Sequence, residues 1–212
     1  WHKLAPPGFG ALLAGGYQEI AVVKKPKVAV LPTGDELLPP GQIPKRGEFV
    51  EFNGTVISAY LRQWGAEPIL YPITKDKKED LRQAVKRALA EADMVLINAG
   101  SSAGRDDYTA AIIGEFGEVL VHGVATRPGK PVILGTASGK PILGLPGYPV
   151  SAYLALDWFA KPLLDRYYRR GDNERPTLKV KLGKRVVSDL GSEEFVRLTI
   201  GCINGEYVAN PL

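Results

Sequence analysis

The chain has 212 residues, of which 45% are hydrophobic and 24% are charged, and its formal net charge is +4. This composition argues against disorder and predicts one well-packed core with a smaller second unit. Because acidic and basic residues are interspersed and no apolar run is long enough to span a bilayer, we expect no nucleic-acid partner, no membrane partner and a cytoplasmic location.

Apolar segments alternate between strand-like and helix-like patterns from Lys27 onward. Residues 1–26 are interpreted as a connector from an upstream region, with one or two helical turns. The segments that follow are a strand at Lys27–Leu31, a helix near Asn53–Trp64, a strand near Glu67–Ile73, a helix near Lys78–Ala92, and strands near Asp93–Ile97, Val119–Val121, Pro131–Leu134 and Ile142–Leu145. This alternation predicts a mostly parallel sheet flanked by crossover helices. The short turn between the last two strands predicts one antiparallel pair.

A long helix is predicted after Pro149 and reaches about Arg170. Pro162 is expected to kink or split it, because proline lacks the backbone N–H that a helix interior needs. The alternating segments beyond the polar hinge at Gly171–Glu174 predict a small antiparallel β-domain. The predicted division is a connector at 1–26, an α/β domain at 27–171 and a C-terminal β-domain at 172–212.

Three turns of similar composition follow three of the predicted strands. They are Leu31-Pro32-Thr33-Gly34-Asp35-Glu36-Leu37, Asn98-Ala99-Gly100-Ser101-Ser102-Ala103-Gly104-Arg105-Asp106-Asp107-Tyr108 and Leu145-Pro146-Gly147-Tyr148-Pro149-Val150-Ser151-Ala152. Proline fixes the backbone, and glycine allows a ligand to approach it closely. Since the carboxyl ends of parallel strands meet at one edge of a sheet, the three turns predict one composite pocket.

The first turn carries adjacent carboxylates, Asp35 and Glu36. The chain has one cysteine, Cys202, and two histidines, His2 and His122, which excludes an internal disulfide and argues against a cysteine-rich or histidine-rich zinc site. A carboxylate pair suits Mg²⁺ better than zinc. The alternative is that Asp35 caps the turn and Glu36 is solvated.

Oxyanion-binding groups are predicted at three places. The loop Gly100–Gly104 offers backbone amides and two hydroxyls to phosphate oxygens. Ser151 and the first amides of the helix after Pro149 offer a similar site. Lys130 is held between a glycine and a proline and can bind an oxyanion, although the same pattern fits a surface lysine in a tight turn.

In this order and at these separations, the three turns resemble the molybdopterin-binding domain of the molybdopterin molybdenumtransferases, a family that includes the E domain of gephyrin. The resemblance covers the chain from about Lys27 to Leu212. It implies a three-layer α/β fold followed by a small antiparallel β-domain. The cofactor-binding residues that it implies are Thr33, Gly34, Asp35, Gly100, Ser101, Ser102, Gly104, Lys130, Pro146, Gly147, Pro149 and Ser151.

The resemblance also implies three catalytic carboxylates. Glu36 matches a functional glutamate of the family, Asp107 matches an aspartate beside the reacting metal and phosphates, and Asp76 matches a further acidic position. The implied Mg²⁺ ligands are Glu36 and Asp107. Without the resemblance, Asp107 is interpreted as the N-cap of a helix beginning near Thr109, and Asp76 as an ordinary loop acid.

Three positions depart from the family pattern. Ala99 stands where the loop usually has its first glycine, and Ser101 stands at a hydrophobic position. Tyr148 replaces an asparagine, which removes an amide and adds a ring.

The activity implied by the resemblance is insertion of molybdate or tungstate into adenylated molybdopterin with release of AMP, in a homodimer that uses Mg²⁺. Two alternatives stay open. One is a molybdopterin adenylyltransferase, which shares the domain fold, and the other is a non-catalytic molybdopterin-binding or scaffold module. The β-rich tail after Gly171 favours the transferase, because such a tail accompanies that enzyme.

Overall fold

The structure is a computed structural model that describes residues 4–99, 106–171, 175–188 and 190–212, without the side chains of residues 99, 106 and 107. Its helices are α1 (Pro6–Ala14), α2 (Asn53–Gln63), α3 (Lys78–Glu91), α4 (Asp106–Phe116), α5 (Pro149–Ala155) and α6 (Lys161–Tyr167), with a π-helical segment at Leu156–Ala160. Its strands are β1 (Lys27–Thr33), β2 (Leu37–Leu38), β3 (Phe49–Val50), β4 (Glu67–Leu70), β5 (Met94–Ala99), β6 (Gly117–His122), β7 (Thr126–Arg127), β8 (Ile133–Ala137), β9 (Lys140–Leu145), β10 (Lys181–Leu182), β11 (Glu193–Glu194), β12 (Leu198–Ile203) and β13 (Glu206–Pro211). Within the described ranges, no helix is long and apolar enough to cross a membrane.

A six-stranded sheet in the order β4-β1-β5-β9-β8-β6 forms the centre of the fold. Its first four strands run parallel to one another. β8 runs antiparallel to both of its neighbours, β9 and β6. The predicted mostly parallel sheet and the predicted antiparallel pair are both confirmed.

Helices cover both faces of this sheet, which gives the three layers that the sequence predicts. Along β1, Ala29 and Leu31 join the cluster that packs under α3 and α4, whereas Val28 and Val30 join the cluster under α2, α5 and α6. The side chains of a strand point alternately to opposite faces. A strand buried on both faces is therefore apolar along most of its length, as β1 is from Val28 to Pro32.

The C-terminal residues form a small sheet and also contact the α/β layers. β12 and β13 pair antiparallel, and β10 lies parallel to β13 on its other side. β11 pairs with β7, and the Phe195 ring lies 4.0 Å from the Trp158 ring between centroids. Hydrogen bonds thus join residues on the two sides of the predicted domain boundary between residues 171 and 172. The boundary itself stays a prediction.

Three local differences from the sequence expectations have physical causes. α4 begins at Asp106, so the expectation that Asp107 caps a helix beginning near Thr109 is wrong; a carboxylate is also favourable inside the first turn, close to the positive helix end. β4 ends at Leu70, because Pro72 cannot donate a ladder hydrogen bond. The long helix is split as expected, since Pro162 cannot donate to the Trp158 carbonyl and the π-helical segment stands at that point.

Candidate functional site

The strands that carry the three predicted turns end level with one another. Thr33 at the end of β1 pairs with Ala99 of β5, and Asn98 pairs with Leu145 of β9. Parallel sheets bind ligands at this carboxyl edge, where the connections leave a crevice. The described residues that follow β1 and β9 therefore lie at one edge, whereas residues 100–105, which follow β5, lie outside the described residues and the three-turn pocket stays a prediction.

Asp35 and Asp76 lie together, although 41 residues separate them in the chain. The Asp35 N–H donates to Asp76 Oδ2 at 2.8 Å, and the Asp76 N–H donates to Asp35 Oδ1 at 3.2 Å. The Gly34 N–H also donates to the Thr74 carbonyl at 3.1 Å. These bonds fix the turn after β1 against the segment after β4, so Asp35 does hold a turn and also brings Asp76 to the edge.

Glu36 folds back over Gly34, and glycine is what allows this. Gly34 has a φ of 156°, and a Cβ there would lie 2.8 Å from Glu36 Oε2 and 2.9 Å from Leu37 Cγ. Both distances are too short for real atoms, so any other residue at Gly34 would move the Glu36 carboxylate. The Thr-Gly-Asp-Glu sequence thus sets the position of its own last side chain.

The third turn is held by two asparagine side chains. Asn98, which is 3% exposed, donates from Nδ2 to the Pro146 carbonyl at 2.8 Å. Asn53, the first residue of α2, donates from Nδ2 to the Gly147 carbonyl at 2.7 Å. α5 then begins at Pro149, the position where proline costs a helix nothing, and Ser151 is buried in its first turn.

A small lysine pocket lies beside Thr33. Its lining residues are Thr33, Lys75, Asp76, Lys77, Lys78, Leu81, Tyr108 and Thr109. Lys78 Nζ is 2.8 Å from Glu115 Oε1, whereas Lys75 and Lys77 are exposed residues of the loop before α3. Ammonium groups near a buried hydroxyl suit an oxyanion such as a phosphate.

A larger aromatic pocket is lined by Glu36 and Leu37 of the first turn, with about 740 Å³ of empty space that is partly open to solvent. Its polar lining residues are Glu36, Glu51, Asn53 and Asn98, and its aromatic ones are Phe49, Phe52 and Tyr148. Gly147 and Pro149 complete the wall on the side of the third turn. The first and third predicted turns therefore line one pocket. Its lining is aromatic and acidic, whereas that of the lysine pocket is basic.

Lys130 lies in a neighbouring loop. It is exposed, and its carbonyl accepts a hydrogen bond from the Val124 N–H at 2.9 Å. A Cβ on Gly129 would lie 3.6 Å from the Trp158 ring and 4.0 Å from the Ser151 carbonyl oxygen, so this loop packs beside the first turn of α5. Lys130 is absent from the described residues that line the two pockets.

Several predicted site residues lie outside the described residues. These are Gly100, Ser101, Ser102 and Gly104. The side chain of Asp107 is also outside the description, although its backbone lies in the first turn of α4. Their predicted roles stay predictions.

Ion pairs tie α4, whose first turn carries Asp107, to the neighbouring α3. Glu115 of α4 accepts hydrogen bonds from Arg82 at 2.6 and 3.0 Å and pairs with Lys78. Arg82 first, and then Lys78, lower the pKa of Glu115 to about 2. The Glu115 carboxylate therefore stays ionised, and its ion pairs with α3 persist, through the physiological pH range.

Sequence reasoning did not single out several residues that shape the site. Asn98 is the first residue of the second predicted turn, but the sequence pattern assigns its side chain no partner, although a buried amide needs one. Glu51 and Asn53 precede or begin a helix and were not connected with the third turn. Lys75 and Lys77 carried a signal, because they flank Asp76 in the sequence.

Residues 29–166 match the family model described as a probable molybdopterin-binding domain. The chain belongs to this family. This match confirms the family that the three turns predict, and it covers the residues that build the edge of the sheet. The small C-terminal sheet lies beyond the matched residues.

Similar proteins agree with this assignment. A molybdopterin molybdenumtransferase from Nostoc sp. is 31% identical over 201 residues, which cover 92% of this chain and 46% of that protein. A putative molybdopterin biosynthesis protein from Methanocaldococcus jannaschii is 33% identical over 191 residues, with 84% and 46% covered. The crystal structure of a MoeA molybdopterin biosynthesis protein from Pyrococcus horikoshii aligns with all of this chain and 51% of its own, at 36% identity and a TM-score of 0.83. The chain spans about half the length of these proteins.

Proposed function

We propose that the chain inserts molybdate or tungstate into adenylated molybdopterin with release of AMP. The observation that carries this proposal is the common edge at which Glu36, the Asp35–Asp76 pair and the Pro146–Pro149 turn lie, in a chain of the molybdopterin-binding family. We also propose that the chain acts in the cytoplasm as a homodimer. Sedimentation velocity would detect the dimer. The proposal also includes the predicted oxyanion contacts of Lys130, Ser151 and the loop Gly100–Gly104.

The two pockets support a substrate with two chemically different ends. Lys75 and Lys77 favour the phosphates or molybdate in the lysine pocket, next to Thr33. The aromatic pocket has no basic side chain among the described residues that line it. The chain's main contribution is then positioning and electrostatic stabilisation, since the pterin dithiolene itself supplies the metal ligands.

The residues present fit a Mg²⁺ ion that also binds the substrate. The described residues contain no group of three or more metal-ligating side chains that could hold a metal ion by themselves. Mg²⁺ is commonly bound by one or two carboxylates, with substrate phosphates and water as its other ligands. Glu36 and Asp107 are the proposed ligands, and the bound ion would reduce the negative charge of the phosphates. Asp76, held by Asp35, is proposed to orient the water that cleaves the adenylate.

The test is Mg²⁺-dependent binding of adenylated molybdopterin, followed by AMP release in the same sample after molybdate or tungstate is added. Binding with oxyanion-dependent release supports the transferase and reports the preferred oxyanion. Binding without release supports the scaffold alternative. Pyrophosphate release from ATP and free molybdopterin would instead identify an adenylyltransferase, although the alignment of the C-terminal sheet with MoeA favours the transferase. Absence of binding contradicts all three.

Gly34→Ala is expected to lower AMP release about tenfold, because the new Cβ displaces the Glu36 carboxylate from its position. Gly41→Ala is the matched control: Gly41 also has a positive φ, of 94°, but its Cβ would meet nothing within 4 Å. In both variants, alanine at a positive φ should lower the free energy of unfolding by about 1 kcal/mol, and thermal unfolding measures this loss. An equal loss of AMP release in both variants would show that the position of Glu36 does not matter.

A further inference from the structure

Three exposed aromatic rings line the aromatic pocket. Phe49 is 59% exposed, Phe52 is 50% exposed and Tyr148 is 67% exposed. Phe49 lies in β3 and Phe52 follows two residues after that strand, whereas Tyr148 belongs to the third turn, between Gly147 and the start of α5. Exposed rings gathered around one concavity indicate a ligand with a flat apolar surface on which they can stack.

The polar lining of the same pocket is rich in hydrogen-bond acceptors. Glu36 and Glu51 contribute carboxylates. Asn53 and Asn98 each use an amide N–H on a carbonyl of the third turn, and this orientation leaves their Oδ1 atoms as acceptors. No lysine, arginine or histidine is found among the described lining residues. Such a lining disfavours an anion and favours a ligand edge that carries N–H donors.

Glu51 is the most constrained of these acceptors. Glu51 is only 6% exposed. Its Oε1 accepts a hydrogen bond from the Gly54 N–H at 2.7 Å. Within the described part of the chain, it has no ion pair. A carboxylate has lone pairs for further bonds, and a buried carboxylate without a cation gains most from a ligand donor. The absence of a side chain at Gly54 leaves space for the Glu51 carboxylate, since a Cβ at that position would lie 3.1 Å from Glu51 Oε2.

The ligand that fits both properties is a flat heterocycle with two adjacent N–H donors on one edge. The 2-amino-4-oxopyrimidine edge of a pterin has this pattern, with its amino group and N3–H side by side. A carboxylate accepts such a pair of parallel N–H bonds, as it does from arginine. Adenine presents a donor next to an acceptor instead, and therefore matches the pocket less well.

We propose that the aromatic pocket binds the pterin ring of the substrate, with the two N–H donors of the ring on Glu51 and the ring stacked on Tyr148. This inference rests on the proposed function, because that function names the substrate. It makes Glu51 and Tyr148 specificity-determining residues. It also orients the substrate, with the ring in the aromatic pocket next to Glu36 and the phosphates toward the lysine pocket next to Thr33.

The first test uses two free ring systems, 6-hydroxymethylpterin and lumazine, in fluorescence titrations. Lumazine replaces the 2-amino donor with an oxo acceptor, so the native chain should prefer the pterin about tenfold or more. Glu51→Gln keeps the acceptor for the Gly54 N–H and turns an amide donor toward the pocket. The variant should therefore reverse the preference, with weaker pterin binding and stronger lumazine binding. A loss of folding alone would weaken both ligands equally.

The second test removes the ring of Tyr148, which is exposed and therefore dispensable for folding. Tyr148→Ala should weaken pterin binding about tenfold, while Tyr148→Phe, which keeps the ring, should bind as the native chain does. Tyr207→Ala is the matched control, since Tyr207 is a half-exposed tyrosine of β13 in the C-terminal sheet. An equal effect of Tyr148→Ala and Tyr207→Ala overturns the stacking role.

These titrations contain no adenylate, molybdate or Mg²⁺, so their outcome is separable from that of the proposed activity. If pterin binds with the expected dependence on Glu51 and Tyr148 but no AMP is released, the ring site stands and the transferase does not. If AMP release proceeds equally well in Glu51→Gln and Tyr148→Ala, the ring site is wrong. A native chain that binds neither free ring up to the solubility limit, or binds both equally, also overturns it.

Discussion

Asp107→Asn is expected to lower molybdate-dependent AMP release at least about a hundredfold and to weaken Mg²⁺-dependent substrate binding much less, because Glu36 remains as a ligand. Asparagine has nearly the same shape as aspartate, so the first turn of α4 is retained. The substitution removes the charge that is proposed to hold Mg²⁺ and act at the adenylate phosphate. AMP measured by chromatography over time, with binding measured separately, checks both parts of the expectation.

Asp106→Asn is the matched control for this variant. It makes the same chemical change one residue earlier, in the same turn of α4, and the resemblance gives Asp106 no catalytic role. Both variants lose one favourable charge near the helix N-terminus, which is worth about 0.3–1 kcal/mol. A difference in AMP release between them therefore reports function and not stability. Equal, near-native release from both variants would contradict the catalytic role of Asp107.

Asn98→Asp is expected to lower the free energy of unfolding at neutral pH by about 3 kcal/mol or more. The substitution removes the N–H that bonds the Pro146 carbonyl and places a carboxylate against that carbonyl in a buried position. Urea unfolding followed by circular dichroism measures the change. The third turn should also lose its position, so pterin and adenylated molybdopterin should both bind more weakly.

The pH dependence of this variant gives a second check. Burial beside a carbonyl raises the pKa of the introduced carboxyl in the folded state, so the protonated, donating form is the stable one. The variant should therefore recover part of its stability relative to the native chain as the pH falls toward about 4, and lose it again as the pH rises. Asn210→Asp, at an exposed position of β13, should change stability by less than about 0.5 kcal/mol. A similar small change at Asn98 would contradict the role of its hydrogen bond.

The sequence predicted the sheet and its flanking helices because those elements carry strong periodic patterns. β1 is apolar from Val28 to Pro32 and β5 from Met94 to Ile97, and α2 and α3 lie within a residue or so of their predicted bounds. The effect of Pro162 also followed from local chemistry. The two-residue strands β2, β3, β7 and β11 were not predicted, because two residues cannot show a period and their pairing depends on the folded chain.

The site residues also fall into two groups, those that a local sequence pattern reveals and those that only the folded chain reveals. Thr33–Glu36 and Pro146–Pro149 could be found from their glycines and prolines, and the rule for parallel strands brings them to one edge. The bonds from Asn53 to Gly147 and from Asn98 to Pro146 join residues 94 and 48 positions apart, and no local pattern encodes such distances. Glu51 has the sequence context of a helix start, and only its burial and its place in the lining of the aromatic pocket distinguish it from a simple cap.

The pairing of β7 with β11 determines how far the α/β part of the chain can be shortened. The Phe195 N–H donates to the Arg127 carbonyl at 2.8 Å, one residue before the Pro128-Gly129-Lys130 turn, and the Phe195 ring packs on Trp158. A chain cut at residue 171 would lose this hydrogen bond and expose the Trp158 ring. An expression fragment intended to preserve the Lys130 loop must therefore extend at least through Phe195, well beyond the end of the last helix.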